Sequence, residues 1–197
     1  KETSAPGAGA FFRTKDKASP HNAFVSAESI QKAMDSLGYP ALHRSEHYQP
    51  DHFQFAQGTN TLDVSDAVSA SVVDLSDCYP VSKSYLEYNE ADGLYYKSLH
   101  GEAQIDAATG QQLTFSNIII QTTYWEKRDE KYLAFQMHDT TRTGYFVTQG
   151  KAIPVRWEKT SDYGPTKYYD MQGNEIQLNT GKTYIAVVQE GPAPKFQ

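Results

Sequence analysis

The sequence predicts an α+β protein that is mainly β: an antiparallel sandwich or open barrel built from hairpins, preceded by a small segment with one helix. Two observations carry this prediction. From about residue 67 onward, apolar residues alternate with a period of two, and Gly-containing turns separate the alternating runs. Near the N-terminus, one segment instead carries apolar residues at the spacing of a helix.

The helix is predicted within VSAESIQKAMDSLGYP. Its apolar face is formed by Ile30, Ala33, Met34 and Leu37. Ser26 can accept a hydrogen bond from a free backbone N–H at the start of the helix. Gly38 can adopt the left-handed conformation after the last turn, and the following proline prevents continuation.

Further along the chain, HFQFAQ predicts one short strand, and the alternation from VSASVVDL onward predicts about eight strands. SYLEY and LYYKSL flank NEADG, which is typical of a hairpin loop. Later turns are predicted at AATG, TQGK, QGN and NTG. Because no strand–helix–strand alternation occurs there, a doubly wound parallel sheet is not expected.

Composition excludes several classes of protein. The 197 residues include 14 Tyr and 9 Phe, so the chain can bury a core. A net charge of -6 without a cluster of Lys and Arg argues against a nucleic-acid partner. The single cysteine, Cys78, has no partner for a disulfide and is expected to be a buried apolar side chain. No apolar run is long enough to span a membrane, and none of the residues is expected to belong to a signal peptide.

The stretch HRSEHYQPDH, residues 43–52, holds three of the six histidines. His43 and His47 have the spacing of two zinc ligands on one helix face, and His52 is a third ligand type nearby. The flanking prolines leave little room for a helix, and no general base stands between the two histidines. The stretch is therefore interpreted as a polar loop, and no metal or cofactor is predicted.

The PHN motif with Arg13 is a candidate ligand site. Pro20 stiffens the chain before His21 and Asn22, and Arg13 could grip a carboxylate or phosphate at the same place. The alternative is that His21 and Asn22 tie a turn to the backbone before a short AFV strand.

Aromatic residues on strands form a second candidate site. Adjacent side chains of a strand point to opposite faces, so Trp125 and Trp157 are candidates for outward rings that stack on a sugar or a partner protein. The alternative is that such rings cover the second face of a sandwich. In HGEAQIDAATG, a carboxylate pair could serve glycoside hydrolysis, but Asp106 is expected to close a turn instead.

Several phrases together resemble the YerB-like lipoprotein family of Gram-positive bacteria: FFRTKDKASPHNAFVSAESIQKA, YYKSLHGEAQIDAATGQQLTFSNIIIQ and GKAIPVRWEKTSDYGPTKYYDMQGNEIQLNTGKTYIAVV. That family has two successive domains of unknown function behind an N-terminal lipid anchor. The resemblance implies that residues 1–62 are the end of the family's N-terminal α/β domain and that residues 63–197 are its antiparallel β domain. Lys97 stands where the family pattern has Arg.

The resemblance implies a location at the extracellular face of the cell membrane, with a lipid anchor outside this chain. The expected function is a non-enzymatic binding or scaffolding module of the cell envelope, with an envelope protein or glycan as partner. The ligand-binding residues would be Arg13, His21, Asn22, Trp125 and Trp157, and no catalytic residue is assigned. The alternative is an envelope hydrolase acting on peptidoglycan or another surface glycan, with or without a metal ion.

Overall fold

The computed structural model describes residues 8–42, 44–49, 52–79, 81–130 and 132–197. The chain divides into two compact units, Lys1–Tyr48 and Gln49–Gln197. The predicted boundary near residue 62 concerns the two family domains and stays a prediction. None of the described helices is long and apolar enough to cross a membrane.

The first unit contains a hairpin and the predicted helix. Strand β1 (Phe11–Arg13) pairs antiparallel with β2 (Ala23–Val25), and helix α1 spans Ala27–Leu37. Single-turn 3-10 helices lie at Ala8–Ala10 and Ser45–His47. The helix and the AFV strand are confirmed.

The caps of α1 are also those that the sequence predicts. The Ser26 hydroxyl accepts a hydrogen bond from the backbone N–H of Ser29, and the side chain of Ser29 accepts one from the backbone N–H of Ser26. Gly38 ends the helix with φ of 67°, a conformation that costs glycine least.

The second unit is built almost entirely of strands. In chain order, its described strands are β3 (Gln54–Phe55), β4 (Val68–Ser69), β5 (Val72–Asp74), β6 (Ser84–Asn89), β7 (Leu94–Leu99), β8 (Glu102–Ala103), β9 (Thr114–Phe115), β10 (Asn117–Thr123), β11 (Trp125–Lys127), β12 (Leu133–Phe135), β13 (Asp139–Thr148), β14 (Lys151–Lys159), β15 (Lys167–Tyr169), β16 (Gln177–Leu178), β17 (Thr183–Gln189) and β18 (Lys195–Phe196).

Two six-stranded sheets organise this unit. The first, here called the large sheet, has the order β15-β14-β13-β10-β17, with β4 paired to β14. The second sheet has the order β18-β5-β6-β7-β8, with β9 paired to β7. Strands β11 and β12 form a separate two-stranded ribbon, and β3 pairs with β16.

The period of two in the strands separates two apolar clusters on opposite faces of the large sheet. On β10, Ile118 and Ile120 belong to one cluster, and Ile119 between them belongs to the other. The first cluster also contains Val73, Leu86 and other residues of the second sheet, so the two sheets pack face to face. The second cluster is covered by loop residues and short strands instead.

The mainly β, α+β class and the sandwich of hairpins are confirmed. The purely antiparallel arrangement is wrong at two places, because β10 pairs parallel to β17 and β3 pairs parallel to β16. Residues 124–182 separate β10 from β17, so this pairing is a long-range contact that no turn signal encodes. The predicted hairpin at QGN is reduced to one bridge, Tyr169 with Glu175, because β16 pairs with β3.

Candidate functional site

A segment of irregular chain, here called the strap (residues 53–64), covers part of the second apolar cluster. Its strand β3 pairs in parallel with β16, and the N–H of Ala56 donates to the carbonyl of Leu178 at 2.9 Å. The ring of Phe53 packs against the cluster. The strap is therefore held to the sheet by both backbone and apolar contacts.

Buried amides fix the strap further along. Asn179 accepts from the N–H of Asn60 at 2.7 Å, and its Nδ2 donates to the Asn60 carbonyl at 2.9 Å and to the Thr148 hydroxyl at 2.8 Å. Asn117 on β10 in turn accepts from the N–H of Asn179 and donates to its carbonyl. Because every amide in this network has partners, burial of Asn117 and Asn179 carries no unsatisfied polar group.

The strap also contains a strained residue. Leu62 has φ of 50°, which a residue with a branched side chain rarely adopts, yet its side chain is buried. Its N–H donates to Oδ1 of Asn60 at 3.1 Å, so the amide network stabilises this conformation. Such outliers persist where the surrounding structure requires them, and here the buried side chain borders a cavity.

Between the strap, β14 and the loop before β16 lies a cavity of about 380 Å³, here called cavity A. Its apolar floor consists of Leu62, Phe146, Ile153 and Ile176. The strap residues Ala56 to Asn60 and the loop at Gln172 form its walls. An apolar floor with polar groups around it, in this range of volume, is the usual form of a small-molecule site.

Four carboxylates lie around cavity A: Asp63, Asp66, Asp170 and Glu175. Hydrogen bonds from Lys151 at 2.6 Å and from Thr61 lower the pKa of Asp63. Glu175 is paired with Lys167 at 2.7 Å.

Burial alone would raise the pKa of Asp170, but hydrogen bonds from Asn174 and from the turn backbone bring it below its ordinary value. Asp66 has no hydrogen bond or ion pair with another described residue. The perturbed carboxylates are thus engaged in structural contacts rather than converging on one point.

A second cavity of about 450 Å³, here called cavity B, lies against the same four strap residues, Ala56 to Thr59. Its remaining lining is Asp92, Gly93, Leu94, Ser116, Gln149, Asn179 and Thr180. Leu94 is the one large apolar side chain of this lining, and most of the other groups are hydroxyls and amides.

The structure brings Arg13 and Asn22 together. Nη1 of Arg13 donates to Oδ1 of Asn22 at 2.7 Å, and Nδ2 of Asn22 donates to the carbonyl of Thr14 at 3.0 Å. His21 is exposed, and its backbone N–H donates to the Ala18 carbonyl. The Asn22 contacts are those of a side chain that ties the hairpin loop, as the alternative interpretation expects; a ligand at this place stays a prediction.

Trp125 lies on the ribbon of β11 and β12, half-buried, and its Nε1 donates to the carbonyl of Glu190 at 3.2 Å. Around it the ribbon exposes large side chains, with Tyr132 63% and Phe135 39% exposed. Trp125 therefore borders an apolar and aromatic surface.

Trp157 lies in the core instead. It is 1% exposed, and its Nε1 donates to the carbonyl of Thr122 at 2.9 Å. Burial of the ring corrects the expectation that it faces outward. Trp157 also borders a small cleft of about 220 Å³ with Arg156, Glu158 and Tyr169. Its role as a ligand contact stays a prediction.

The histidine stretch is described only in part. His43, Pro50 and Asp51 lie outside the described residues. His47 ends a short 3-10 helix, and His52 is exposed. Within the described part of the chain, no group of three His, Cys, Asp or Glu side chains could hold a metal ion.

Two structural interpretations of chemically suggestive residues are confirmed. The carboxylate of Asp106 accepts from the N–H of Ala108 at 2.8 Å, which closes the AATG turn. Cys78 is buried in the cluster between the sheets, and burial raises the pKa of its thiol to about 11.

No sequence pattern indicates cavities A and B directly, because their linings join residues 56–66 and 170–180 with residues of distant strands and turns. NTG and QGN do predict turns, and the strap reads as loop apart from the short strand predicted at HFQFAQ. Nothing in the sequence connects Asn60 with Asn179, which are 119 residues apart.

Residues 74–185 match the model of a protein of unknown function, the DUF3048 C-terminal domain. The chain belongs to this family. A solved structure, that of the YerB protein from Bacillus subtilis, superposes with a TM-score of 0.70 at 21% sequence identity. That match covers 91% of this chain and 56% of the YerB chain, so this chain spans little more than half the length of that relative. The predicted YerB-like family is thereby confirmed. No curated protein matches the chain.

Proposed function

We propose that this chain is a non-enzymatic binding module that holds a small ligand, or an apolar group of a larger one, in cavity A. The observation that carries the proposal is the apolar floor of Leu62, Phe146, Ile153 and Ile176 beneath the strap, in a cavity of about 380 Å³. An apolar group bound there would itself be removed from water, at about 25 cal/mol per Å² of its apolar surface.

Preorganisation of the strap supports this proposal. The amides of Asn60, Asn117 and Asn179 hold the strap in place through hydrogen bonds that need no ligand. A wall that is already ordered loses little conformational entropy when the ligand binds.

The titratable groups of cavity A favour binding over catalysis. Enzymes bring together groups whose pKa values are shifted for proton transfer. Here the lowered pKa of Asp63 follows from Lys151 and Thr61, and that of Asp170 from hydrogen bonds within its own turn. The alternative of an envelope hydrolase acting on peptidoglycan or another glycan remains a hypothesis, and its active site would include His21 or the histidines of residues 43–52.

We further propose that the module works at the extracellular face of the cell membrane, tethered by an N-terminal lipid in the full-length protein. Resemblance to YerB-like lipoproteins supports this location. The partner would be an envelope protein or glycan, and the aromatic surface beside Trp125 is a second place for such a contact. Protease treatment of intact cells tests the location: we expect degradation of the protein without lysis, and full protection would contradict it.

Binding can be tested with N-phenyl-naphthylamine, a neutral apolar dye whose fluorescence rises in apolar surroundings. We expect saturable binding to the wild-type chain, and loss of that binding in Gly58→Trp and in Val64→Trp. Both positions line cavity A, Val64 is 51% exposed, and an added Cβ at Gly58 would have no atom within 4 Å. Both variants should therefore fold.

The matched control is Gly9→Trp. Gly9 also has no atom within 4 Å of an added Cβ, and it belongs to the first unit. Dye binding that is unchanged in all three variants, or absent in the wild type, would contradict the proposed function.

A further inference from the structure

We infer that the ligand is a neutral, sugar-headed amphiphile, with its apolar chain in cavity A and its hydroxyl-bearing head in cavity B. This inference rests on the proposed function and adds the chemical class of the ligand. Its starting point is that Ala56, Gln57, Gly58 and Thr59 line both cavities. Four residues of extended chain span at most about 14 Å, so one elongated molecule can follow the strap from one cavity to the other.

The two linings differ in the number of large apolar side chains that they contain. Cavity A has a floor of four large apolar side chains. Cavity B has Leu94 as its single large apolar side chain, and its other groups are hydroxyls, amides and one carboxylate. A uniformly apolar ligand would leave the polar groups of cavity B without partners, which is costly.

Hydroxyl groups in cavity B are available for a ligand. Ser116 is 8% exposed, and its hydroxyl forms no hydrogen bond with another described residue. A Cβ added at Gly181 would come within 2.1 Å of that hydroxyl, which locates Ser116 Oγ against the NTG turn. The hydroxyls of Thr59 and Thr180 are likewise unpaired among the described residues and exposed. Sugar hydroxyls, which both donate and accept, suit such groups.

The charges around the cavities exclude an anionic head group. The two linings together hold five carboxylates, of Asp63, Asp66, Asp92, Asp170 and Glu175, and no Lys, Arg or His. A phosphate or sulfate in cavity B would meet the like charge of Asp92 and no cation of the lining. A cationic head is not required either, since four of the five carboxylates already have partners. Asp63 is paired with Lys151, and Glu175 is paired with Lys167. Asp170 accepts from Asn174, and Asp92 accepts from the Tyr96 hydroxyl and the N–H of Leu94.

The test compares three amphiphiles with the same eight-carbon chain by calorimetric titration, each below its micelle concentration: n-octyl-β-D-glucoside, n-octanol and sodium octyl sulfate. We expect the glucoside to bind about tenfold more tightly than the alcohol, because the sugar adds one or two net hydrogen bonds. We expect octyl sulfate to show no binding. Equal affinity for the glucoside and the alcohol, or binding of the sulfate, would overturn the inference.

Variants separate this inference from the proposed function. Ser116→Ala and Thr180→Ala should each weaken glucoside binding about fivefold and leave octanol binding unchanged. Thr160→Ala, at an exposed threonine outside both linings, should change neither. If Gly58→Trp prevents binding of N-phenyl-naphthylamine but the glucoside binds no more tightly than octanol, the proposed function is supported and the inferred ligand class is wrong. If the dye does not bind to the wild-type chain, both the proposed function and the inferred ligand class are wrong.

Discussion

The two faces of the large sheet are covered in different ways. One face packs against the second sheet, and the cluster between them includes Ile118, Ile120 and Val147, all fully buried. The other face carries Ile119, Phe146 and Ile153 from the same strands, but it is covered by the strap and by short irregular segments. Neighbouring residues of one strand thus contribute to two different environments.

This difference in covering indicates where a binding site can form in such a fold. Regular sheets with alternating side chains interdigitate and leave little space between them. A single irregular segment cannot fill a whole sheet face, so cavity A remains beside it. The closed face stabilises the unit, and the face beneath the strap is the one that can receive a ligand.

The largest effect is expected on the closed face. Ile120→Ala should lower the free energy of unfolding by about 4 kcal/mol, because it leaves a cavity that the surrounding strands cannot fill. Ile153→Ala, on the floor of cavity A, should cost about 2 kcal/mol, because its side chain already borders open space. Urea unfolding of both variants measures the difference. Equal losses would show that the two faces are packed alike.

The next effect concerns the attachment of the strap. Asn179→Ala should cost about 3 kcal/mol, because it removes three hydrogen bonds and leaves the part-buried N–H and carbonyl of Asn60 without these partners. It should also abolish dye binding in cavity A. The control Thr180→Ala, at the exposed neighbour, should stay within about 0.5 kcal/mol of wild type in urea unfolding. A loss of stability with unchanged dye binding would show that binding in cavity A does not need the attachment of the strap.

Thiol reactivity compares the same two faces of the large sheet without destabilising the protein. Cys78 belongs to the closed face, and its pKa of about 11 leaves about one thiol in a thousand ionised at about pH 8. Native protein should therefore react with iodoacetamide only on unfolding, whereas Val64→Cys, at the exposed mouth of cavity A, should react in the folded state. Rapid labelling of Cys78 in the native protein, measured by mass spectrometry, would show that the closed face opens.

The smallest effect is a pH dependence at the mouth of cavity A. Lys151 and Thr61 hold the pKa of Asp63 below its ordinary value. A carboxyl group with a lowered folded-state pKa stabilises the fold above its unfolded value of about 3.9, and this contribution is lost as the pH falls through the folded value. The stability advantage of wild type over Asp63→Asn should therefore shrink between about pH 5 and pH 3. If the stability advantage of wild type over Asp63→Asn grew as the pH fell, the folded-state pKa of Asp63 would not be lowered.

Local signals predicted a large part of this fold. The helix follows from its apolar spacing, Ser26 and Gly38, and the hairpin of β6 and β7 follows from alternation around NEADG. The turn at Asp106 follows from the capacity of an Asp side chain to accept backbone N–H bonds. In each case, the deciding contacts join residues that are close in sequence.

Contacts between distant residues were not predictable in the same way. The parallel pairing of β10 with β17 and the amide pair of Asn60 and Asn179 join segments far apart in the chain. The burial of Trp157 depends on which face of β14 the strap covers, and period-two alternation does not distinguish two faces that are both buried. The candidate cavities depend on these contacts, so residue motifs did not indicate them.

The most direct test of the difference between the two faces is a map of backbone amide chemical shifts during titration with N-phenyl-naphthylamine. We predict that shift changes concentrate in residues 56–66 and 170–177, with the amides of β5, β6 and β18 in the second sheet unchanged. Changes centred on the β11–β12 ribbon or on the second sheet, with the strap unaffected, would contradict the assignment of ligand binding to the face beneath the strap.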